Sequence, residues 1–153
     1  MYYVIHRFFL CTFFTLLILV TSCVKGALSP EKAFSSLYSA FYACDVKAMQ
    51  ELLSTESLRK IEGVQKMFSE MSDEQAEAAS KLYNMTGPEL KSLSVEKLIN
   101  NFLLTEKDII LKGNAILSDV FENEDRAIVL LQNGNELDFV KEGRYWKFDL
   151  TKL

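Results

Sequence analysis

The stretch Leu130-Leu131-Gln132-Asn133-Gly134-Asn135-Glu136-Leu137 decides the fold of this chain. Its Asn-Gly pair stands between two apolar runs, and this pair is the strongest short-range signal for a β-hairpin with a two-residue type I′ turn. A turn of that length sets Leu130 opposite Leu137 and Ile128 opposite Phe139, all on one face. The C-terminal part of the chain is therefore predicted to be an antiparallel sheet.

A second turn signal, Glu142-Gly143, follows the first hairpin and predicts one more strand. This turn sets Phe139 opposite Trp146, and on the reverse face it pairs Asp138 with Lys147. The two turns predict one shared apolar face, made of Ile128, Leu130, Leu137, Phe139, Trp146 and Phe148. We therefore expect a meander of three or four antiparallel strands with helices packed on that face.

The region before the sheet carries helix-start signals, followed by apolar residues three or four positions apart. Ser29-Pro30-Glu31 predicts a first helix, with serine as its N-cap and proline in its first turn. Asp45 is the predicted N-cap of a short second helix over residues 46–53. Thr55-Glu56 begins a third helix.

Two further helices follow before the sheet. Ser72 with Gln75 three residues later has the pattern of a capping box and starts a fourth helix. Thr86-Gly87-Pro88 is predicted to end that helix, and Ser94 is predicted to cap a last one over residues 95–103. The predicted fold class is α+β, with N-terminal helices packed on a curved C-terminal sheet.

The N-terminal segment has the composition of a signal peptide. Arg7 is the only charged residue among residues 1–22, and residues 8–20 carry no charge at all. A helix over that uncharged run spans only about 20 Å, whereas the hydrocarbon core of a bilayer is roughly 30 Å thick. A signal peptide therefore explains this segment better than a permanent transmembrane helix does.

The residues Val20-Thr21-Ser22-Cys23 resemble the lipobox of bacterial lipoproteins, in which an aliphatic and two small residues precede a cysteine. The resemblance implies a diacylglycerol on Cys23, cleavage before it and acylation of the new N-terminus. Several acyl chains give stable membrane attachment, which one chain does not. We therefore expect residues 1–22 to be a lipoprotein signal peptide, residues 23–28 a lipidated tether, and residues 29–153 one domain, held in the bacterial cell envelope at the inner or outer membrane.

Removal of the signal peptide restricts the chemistry of what remains. The chain has 17 Lys and Arg against 21 Asp and Glu, and without Arg7 the 16 remaining cations leave a net charge of −5. This acidic balance argues against nucleic acid as a partner. His6 is the only histidine and is removed too, so the mature chain lacks the commonest general base and zinc ligand. Cys44 is the one thiol left after cleavage and lipidation, and its apolar neighbours predict burial.

The order of elements resembles the cystatin-like, nuclear-transport-factor-two-like domain of many small bacterial lipoproteins. The residues that carry this resemblance are Ser29-Pro30-Glu31, Asp45, and the last-strand sequence Gly143-Arg144-Tyr145-Trp146-Lys147-Phe148. The resemblance covers most of residues 29–150 and implies a cone, in which a bent sheet wraps the first helix and leaves a pocket at its wide end. Members of this family include enzymes, ligand-binding proteins and dimerising modules, so the fold alone does not choose a function.

Aromatic side chains are the first candidates to line such a pocket. They are Phe34, Tyr38, Phe41 and Tyr42 of the first helix and Trp146 of the last strand. Aromatic residues at helical spacing are more often ordinary core, and both alternatives stay open. The ligand expected for this pocket is small and apolar, and the sequence predicts no metal and no cofactor.

Asp119 is the candidate whose role depends on strand register. It lies in a predicted strand over residues 115–121, which joins the next strand through the acidic residues 122–125. A four-residue loop turns Asp119 inward near Tyr38 or Tyr42, where apolar surroundings raise the pKa of a carboxyl group and suit it to act as a general base. A three-residue loop turns it outward, and this alternative is favoured because burial of an unpaired carboxylate is costly.

Two surface features also have a functional and a structural interpretation. The acidic residues 122–125 have oxygens suited to calcium, but they lack the regular spacing of a calcium loop and are better interpreted as a solvated turn. The charged faces of the third and fourth helices are solvated surfaces. Met67, Met71 and Met85 among them are candidates for a partner groove.

Three functions from different classes remain. The favoured one is a non-enzymatic, lipid-anchored envelope protein whose domain binds a small apolar ligand or another envelope protein. The second is a small isomerase or lyase that uses Asp119 with a pocket tyrosine. The third is a structural module that forms a homodimer through its open sheet face.

Overall fold

The computed structural model describes the backbone of residues 26–110 and 115–152, and the side chains of residues 26–105 and 115–152. Helices come first and an antiparallel sheet last, so the predicted α+β class is confirmed. The helices are α1 (Pro30–Ala43), α2 (Val46–Leu52), α3 (Thr55–Glu70), α4 (Asp73–Tyr83), α5 (Gly87–Lys91) and α6 (Val95–Ile110). The strands are β1 (Leu117–Asn123), β2 (Arg126–Leu131), β3 (Glu136–Glu142) and β4 (Tyr145–Phe148), followed by a 3₁₀ turn (Leu150–Lys152).

Side-chain caps place the first two helices where the sequence predicts them. The Ser29 hydroxyl accepts a hydrogen bond from the Lys32 amide, and Pro30 occupies the first turn of α1. The Asp45 carboxylate accepts a hydrogen bond of 2.9 Å from the Ala48 amide at the start of α2. Each cap satisfies an amide that has no partner within its helix, so both predicted starts are confirmed.

The starts of α3 and α4 also follow the sequence. Thr55 is the first residue of α3, and the preceding Ser54 is its N-cap, whose hydroxyl accepts a hydrogen bond of 3.1 Å from the Ser57 amide. Ser72 and Gln75 form the reciprocal bonds of a capping box at the start of α4. The box therefore confirms the predicted break between these two helices.

The fourth helix ends before Thr86 as predicted, but one further helix was missed and the last helix is longer than predicted. Asn84 ends α4 in the left-handed conformation, and Thr86 then caps a further helix, α5, by exchanging bonds with Glu89. Thr86-Gly87-Pro88 therefore follows the end of α4 and also begins α5, because proline is accepted in the first turn of a helix. The last helix, α6, continues to Ile110, beyond the predicted end at Leu103.

The four strands form a meander in the order β1-β2-β3-β4, but the loop between β2 and β3 is longer than predicted. The Leu131 amide donates to the Asn135 carbonyl at 2.9 Å, so residues 132–134 form a three-residue loop. Gly134 has a φ of +86°, and its amide donates to the Leu131 carbonyl. A three-residue hairpin loop with a left-handed glycine is the next commonest choice after the two-residue turn.

This one-residue difference reverses the faces of β2. Ala127 pairs with Phe139 and Val129 pairs with Leu137, so it is Ala127, Val129 and Leu131 that lie in the core. Ile128 is 36% exposed and lies on the reverse face, contrary to the prediction. A slip of one residue moves every side chain of a strand to the other side, which is why one extra loop residue overturns the whole assignment.

The β3–β4 hairpin keeps its predicted faces although its register differs. Its turn is Gly143-Arg144, and Phe139 pairs with Phe148 rather than Trp146. The shift is two residues, so Trp146 and Phe148 still lie in the core. The predicted pair of Asp138 with Lys147 is wrong, because Lys147 stands opposite Val140.

Buried side chains form two separate clusters among the described residues. The principal core joins the inner face of the sheet to α1, α2 and α6, and its largest members are Trp146, Phe41, Phe139 and Phe148. The distal core is much smaller and consists of Phe68, Leu90 and Leu93, from α3, α5 and the segment before α6. Helices α3 and α6 pack against each other and contribute to both clusters.

Candidate functional site

Three of the aromatic residues predicted to line a pocket, Phe34, Phe41 and Trp146, belong to the principal core. Phe41 and Trp146 are 0% and 1% exposed, and Phe34 is buried with them. Tyr38 is half-buried, and Tyr42 is 70% exposed on the outer side of α1, where its ring stacks on that of Tyr38 at 6.3 Å. Phe34, Phe41 and Trp146 therefore pack as core residues, whereas Tyr42 lies at the surface.

Asp119 lies on the solvent-exposed face of the sheet. It pairs with Leu130, and its carboxylate accepts a hydrogen bond of 2.8 Å from the neighbouring Val120 amide. Helix α1, which carries Tyr38 and Tyr42, packs on the opposite face. The inward alternative for Asp119 is therefore wrong, and the predicted carboxylate–tyrosine pair is not formed.

The other sequence candidates are also exposed or only partly covered. Cys44 is half-buried rather than buried, at the C-cap of α1. Glu122, Glu124 and Asp125 are exposed around the β1–β2 turn. Within the described residues, no group of three or more cysteine or carboxylate side chains is placed to hold a metal ion.

An apolar groove lies between α3 and α6 and has a volume of about 500 Å³. We call it the α3–α6 groove. Its lining consists of Ser57, Lys60, Ile61 and Val64 from α3, Leu98 and Phe102 from α6, and Leu150 from the 3₁₀ turn. This volume lies within the range of small-molecule sites, which is about 300–1,000 Å³.

The spacing of the lining residues explains how two helices make one groove. Ser57, Ile61 and Val64 are four and three positions apart, and Lys60 lies beside Ile61, so they form one stripe along α3. Leu98 and Phe102 are four positions apart and form the facing stripe on α6. Ile61, Val64, Leu98 and Phe102 are only half-buried, so the facing stripes touch without closing over the space between them.

A buried polar cluster forms the floor at one end of the groove, and we call it the Ser57–Asp149 cluster. The Ser57 hydroxyl accepts a hydrogen bond of 2.7 Å from the Leu150 amide and lies 2.7 Å from the Ser54 hydroxyl. It also donates weakly to the Phe148 carbonyl and the Asp149 carboxylate. These bonds attach the start of α3 to the end of β4, and they fix the polar end of the groove.

Asp149 is 3% exposed and keeps its charge through several donors. Burial alone would raise the pKa of its carboxyl group. The carboxylate accepts hydrogen bonds from the Thr151 hydroxyl at 2.7 Å and the Thr151 amide at 3.0 Å, and the Arg126 guanidinium lies nearby. These contacts outweigh burial and hold the pKa below its usual value. Asp138 behaves oppositely: burial, then the negative charge of Asp149, raises its pKa.

Lys60 stands at the edge of the α3–α6 groove and brings a positive charge to it. Two other basic residues of α3 are paired with acidic neighbours on the same helix, Arg59 with Glu56 and Lys66 with Glu70. No ion pair involves Lys60 within the part of the chain that the structure describes. The groove therefore has apolar walls, a neutral hydroxyl at its floor and, at its rim, the Lys60 cation, which has no ion-pair partner among the described residues.

Two further grooves have more polar linings. One lies between α3 and α4 beside Met67 and Met71, so two of the predicted methionines do border a groove, while Met85 packs against the distal core. Another lies between α1 and α2 and is lined mainly by serine and alanine side chains. Neither combines a wide apolar wall with a free cation as the α3–α6 groove does.

The sequence predicted the apolar stripe of α3 but not the groove. Ile61 and Val64 fit a core-facing helix equally well, because periodicity shows which face is apolar and not how much of it a neighbour covers. One signal was present in the sequence: Lys60 lies next to Ile61 within the apolar face of α3. Because the charged end of a lysine side chain stays in water, this part of the face must be open to solvent.

Searches with this chain against protein-family models, curated proteins and solved structures return no match. No helix among the residues that the structure describes is long and apolar enough to cross a membrane.

Proposed function

We propose that this protein is a lipid-anchored envelope protein whose domain binds a small amphipathic ligand without transforming it. The observation that carries the proposal is the α3–α6 groove, which offers apolar walls of suitable size beside the Lys60 cation. Its occupant would be a single-chain amphiphile with an anionic head group, such as a fatty acid. The acyl chain would lie against Ile61, Val64, Leu98 and Phe102, and the head group would lie near Lys60.

The anchor is supported by sequence. Cys23 follows an uncharged run and completes a pattern similar to a lipobox, although it lies outside the described residues. Lipid attachment at this position would hold the domain at a membrane surface, where amphiphiles are concentrated. The groove and the anchor are thus consistent with one role, the holding of a lipid-derived molecule in the cell envelope.

A binding role fits the described chemistry better than catalysis does. The carboxylate expected to act as a base, Asp119, is exposed, and residues 23–153 contain no histidine. The polar residue that reaches the groove floor, Ser57, is engaged by the Leu150 amide and the Ser54 hydroxyl. The Asp149 carboxylate lies 3.5 Å from its hydroxyl, but the same oxygen already accepts hydrogen bonds from the Thr151 amide and hydroxyl.

We also propose that the sheet and α1 belong to the cystatin-like, nuclear-transport-factor-two-like fold. The meander order and the packing of α1 against the inner face of the sheet support this assignment. Helices α3 to α5 would then be an addition to the simple cone, and the α3–α6 groove would lie in that addition rather than at the wide end of the cone.

Photo-crosslinking with a diazirine-bearing fatty acid tests the groove. The membrane-attached protein is irradiated with the probe in vesicles, and the cross-linked peptides are mapped by mass spectrometry. We expect adducts on residues 57–64 and 98–102, and we expect Val64→Trp to reduce them at least tenfold by filling the space. Thermal unfolding of the Val64→Trp protein shows whether it is folded.

The role of charge is tested with a matched pair of neighbours. Lys60→Met removes the cation at the rim and should weaken crosslinking severalfold, because a charge-assisted contact is lost. Arg59→Met removes the same charge one position away, from a side chain that pairs with Glu56, and should have little effect. Adducts that spread evenly over the surface, or that survive in Val64→Trp, would contradict the proposal.

A further inference from the structure

The first described residues attach to the outer edge of the sheet. Ala27 forms an antiparallel bridge with Trp146 of β4, and the Trp146 amide donates to the Ala27 carbonyl at 2.8 Å. Ala27 is 5% exposed and belongs to the principal core. The segment expected to be a free tether is therefore fixed to the domain at least from Gly26 onward.

Gly26 fixes the path of the chain at this point. Its φ is +141°, a conformation that L residues rarely adopt. A Cβ atom on Gly26 would lie 2.6 Å from the Cβ and 2.9 Å from the Cγ of Tyr145, which is much closer than real contacts allow. The backbone therefore passes directly against Tyr145, and no larger residue fits there without displacing one of them.

The distance to the predicted lipid is short. Cys23 precedes Gly26 by three residues, and three extended residues span at most about 11 Å. A lipid on Cys23 would hold the bilayer surface within that reach of Gly26. This step rests on the lipid anchor of the proposed function.

The surface next to Gly26 suits a lipid head-group region. The exposed Arg144 places its guanidinium 4.8 Å from the centre of the Tyr145 ring and donates to the Tyr145 hydroxyl at 2.6 Å. Lys141 lies 5.4 Å from the ring centre of Trp146, and Leu28 is 63% exposed. Tyrosine, basic side chains and an exposed leucine are the groups that favour the membrane interface.

The charge of this surface differs from that of the whole chain. The mature chain is acidic, yet Lys141 and Arg144 bring two positive charges to the end of the β3–β4 hairpin. The acidic residue between them, Glu142, accepts hydrogen bonds from the Thr55 amide at 2.7 Å and hydroxyl at 2.9 Å and keeps its negative charge, so two cations and one anion leave these three residues with a net charge of +1. Basic side chains near a membrane surface attract anionic lipids at about 1 kcal/mol each.

We infer that the β4 edge is the membrane-facing side of this protein and that Arg144 and Lys141 contact anionic lipid head groups there. We call the end of the β3–β4 hairpin with the neighbouring Leu28 the tether face; it comprises Leu28, Lys141, Arg144 and Tyr145, with Lys141 on the Trp146 side of the strand pair and Tyr145 on the other side. The pairing of Ala27 with Trp146 makes the short tether rigid where it meets the domain. Lipidation would then set the orientation of the domain as well as its location.

Depth-dependent fluorescence quenching tests this orientation. The full lipidated protein, with Cys44→Ser to remove the free thiol, receives a fluorescent label at Lys141→Cys or at Lys66→Cys on α3. Vesicles of phosphatidylcholine and phosphatidylglycerol carry a head-group spin label as the quencher. We expect at least threefold stronger quenching at position 141 than at position 66.

Two substitutions test the structural reason. Gly26→Ala should remove most of this difference by forcing the tether away from Tyr145, whereas Gly63→Ala should leave it unchanged, since nothing lies within 4 Å of a Cβ there. Arg144→Gln should reduce quenching at position 141 on anionic vesicles and leave it unchanged on phosphatidylcholine alone. Thermal unfolding confirms that each variant is folded.

The outcomes separate the two proposals. Protein that fails to sediment with vesicles would contradict the lipid anchor itself. Protein that sediments but shows equal quenching at positions 141 and 66 would overturn the orientation and leave the anchor intact. Sedimentation with the expected difference, lost in Gly26→Ala and kept in Gly63→Ala, would establish the tether face.

Discussion

The principal core and the distal core differ greatly in size, and the difference locates the groove. Twenty buried residues make up the principal core among those described, whereas the distal core has three. Burial of apolar surface is the dominant stabilising contribution to folding, so the two regions should differ strongly in resistance to local opening. Helices α4 and α5 contact mainly each other and α3, and they depend on the smaller cluster.

The α3–α6 groove lies along the boundary between these two cores. Ile61 and Phe102 pack against the principal core, while Val64 and Leu98 pack against the distal one. One end of the groove is therefore held by the sheet and the Ser57–Asp149 cluster, and the other end by a cluster of three residues. A ligand that fills the groove would connect the two cores and stabilise the weaker one most.

Removal of one aromatic side chain from each core gives the largest expected difference. Phe41→Ala in the principal core should lower the free energy of unfolding by about 3–5 kcal/mol, because Phe41 is fully buried among residues that cannot collapse around the cavity. Phe68→Ala should lower it by about 2 kcal/mol or less, because the small distal core can open locally. Denaturant unfolding measures both values.

Hydrogen exchange separates these two effects by region. In Phe68→Ala we expect faster exchange confined to α4, α5 and the end of α3, with the sheet unchanged. In Phe41→Ala the increase should extend over the sheet as well. Equal losses of stability with the same exchange pattern would show that the two cores unfold as one unit.

The sequence predicts the principal core better than the distal one, for local reasons. Helix caps such as Ser29 and Asp45 act within four residues, so their effects can be inferred without knowledge of distant contacts. The inward faces of Trp146 and Phe148 were also correct, since the true turn shifts that register by two residues. Local chemistry was sufficient in these cases.

The register of β2 and the α3–α6 groove depend on structural alternatives between which the sequence does not decide. Asn133-Gly134 suits both a two-residue and a three-residue loop, and the core selects the one that buries Val129 in place of Ile128. The apolar stripe of α3 was predicted, but how far α6 covers Val64 depends on how the two helices approach each other. Asp119 stands opposite Leu130, so it faces outward because the three-residue β2–β3 loop turns the Leu130 side of β2 away from the core.

A matched pair of aspartates tests how the principal core holds the groove floor. Asp149→Asn should lower the free energy of unfolding at pH 7 by about 1–3 kcal/mol, because a charged acceptor of several hydrogen bonds is lost. Asp138→Asn should raise stability slightly, since burial and the neighbouring Asp149 disfavour its charged form.

The two effects have opposite dependence on pH. The pKa of Asp149 is lowered in the folded state, so its contribution is complete above the unfolded-state pKa, about 3.9, and is lost as the pH falls through the folded value. The raised pKa of Asp138 means that its unfavourable contribution disappears as the pH falls through that raised value. The free energies of unfolding of both variants, measured between pH 7 and pH 2, should approach that of the parent protein at acidic pH. A difference between Asp149→Asn and the parent protein that stays constant with pH would contradict this account.

The smallest expected effect compares the C-caps of α1 and α4, one in each region. Cys44 and Asn84 both adopt the left-handed conformation, with φ of 51° and 52°, and at both ends the next amide bonds back to the carbonyl five residues earlier. The left-handed conformation is less costly for asparagine than for cysteine. Cys44→Gly should therefore raise the free energy of unfolding by about 0.5–1 kcal/mol, whereas Asn84→Gly should change it little.

Calorimetry measures both substitutions as a shift in Tm, with a rise of a few degrees expected for Cys44→Gly. The half-buried Cys44 thiol makes only a weak contact of 3.8 Å with the Phe41 carbonyl, so its loss removes little stability. If α4 unfolds before the principal core, Asn84→Gly should leave the Tm of the main unfolding transition unchanged, even if the substitution alters the stability of α4. A larger gain at Asn84 than at Cys44 would mean that the distal region limits global stability, and the contrast between the two cores would then be wrong.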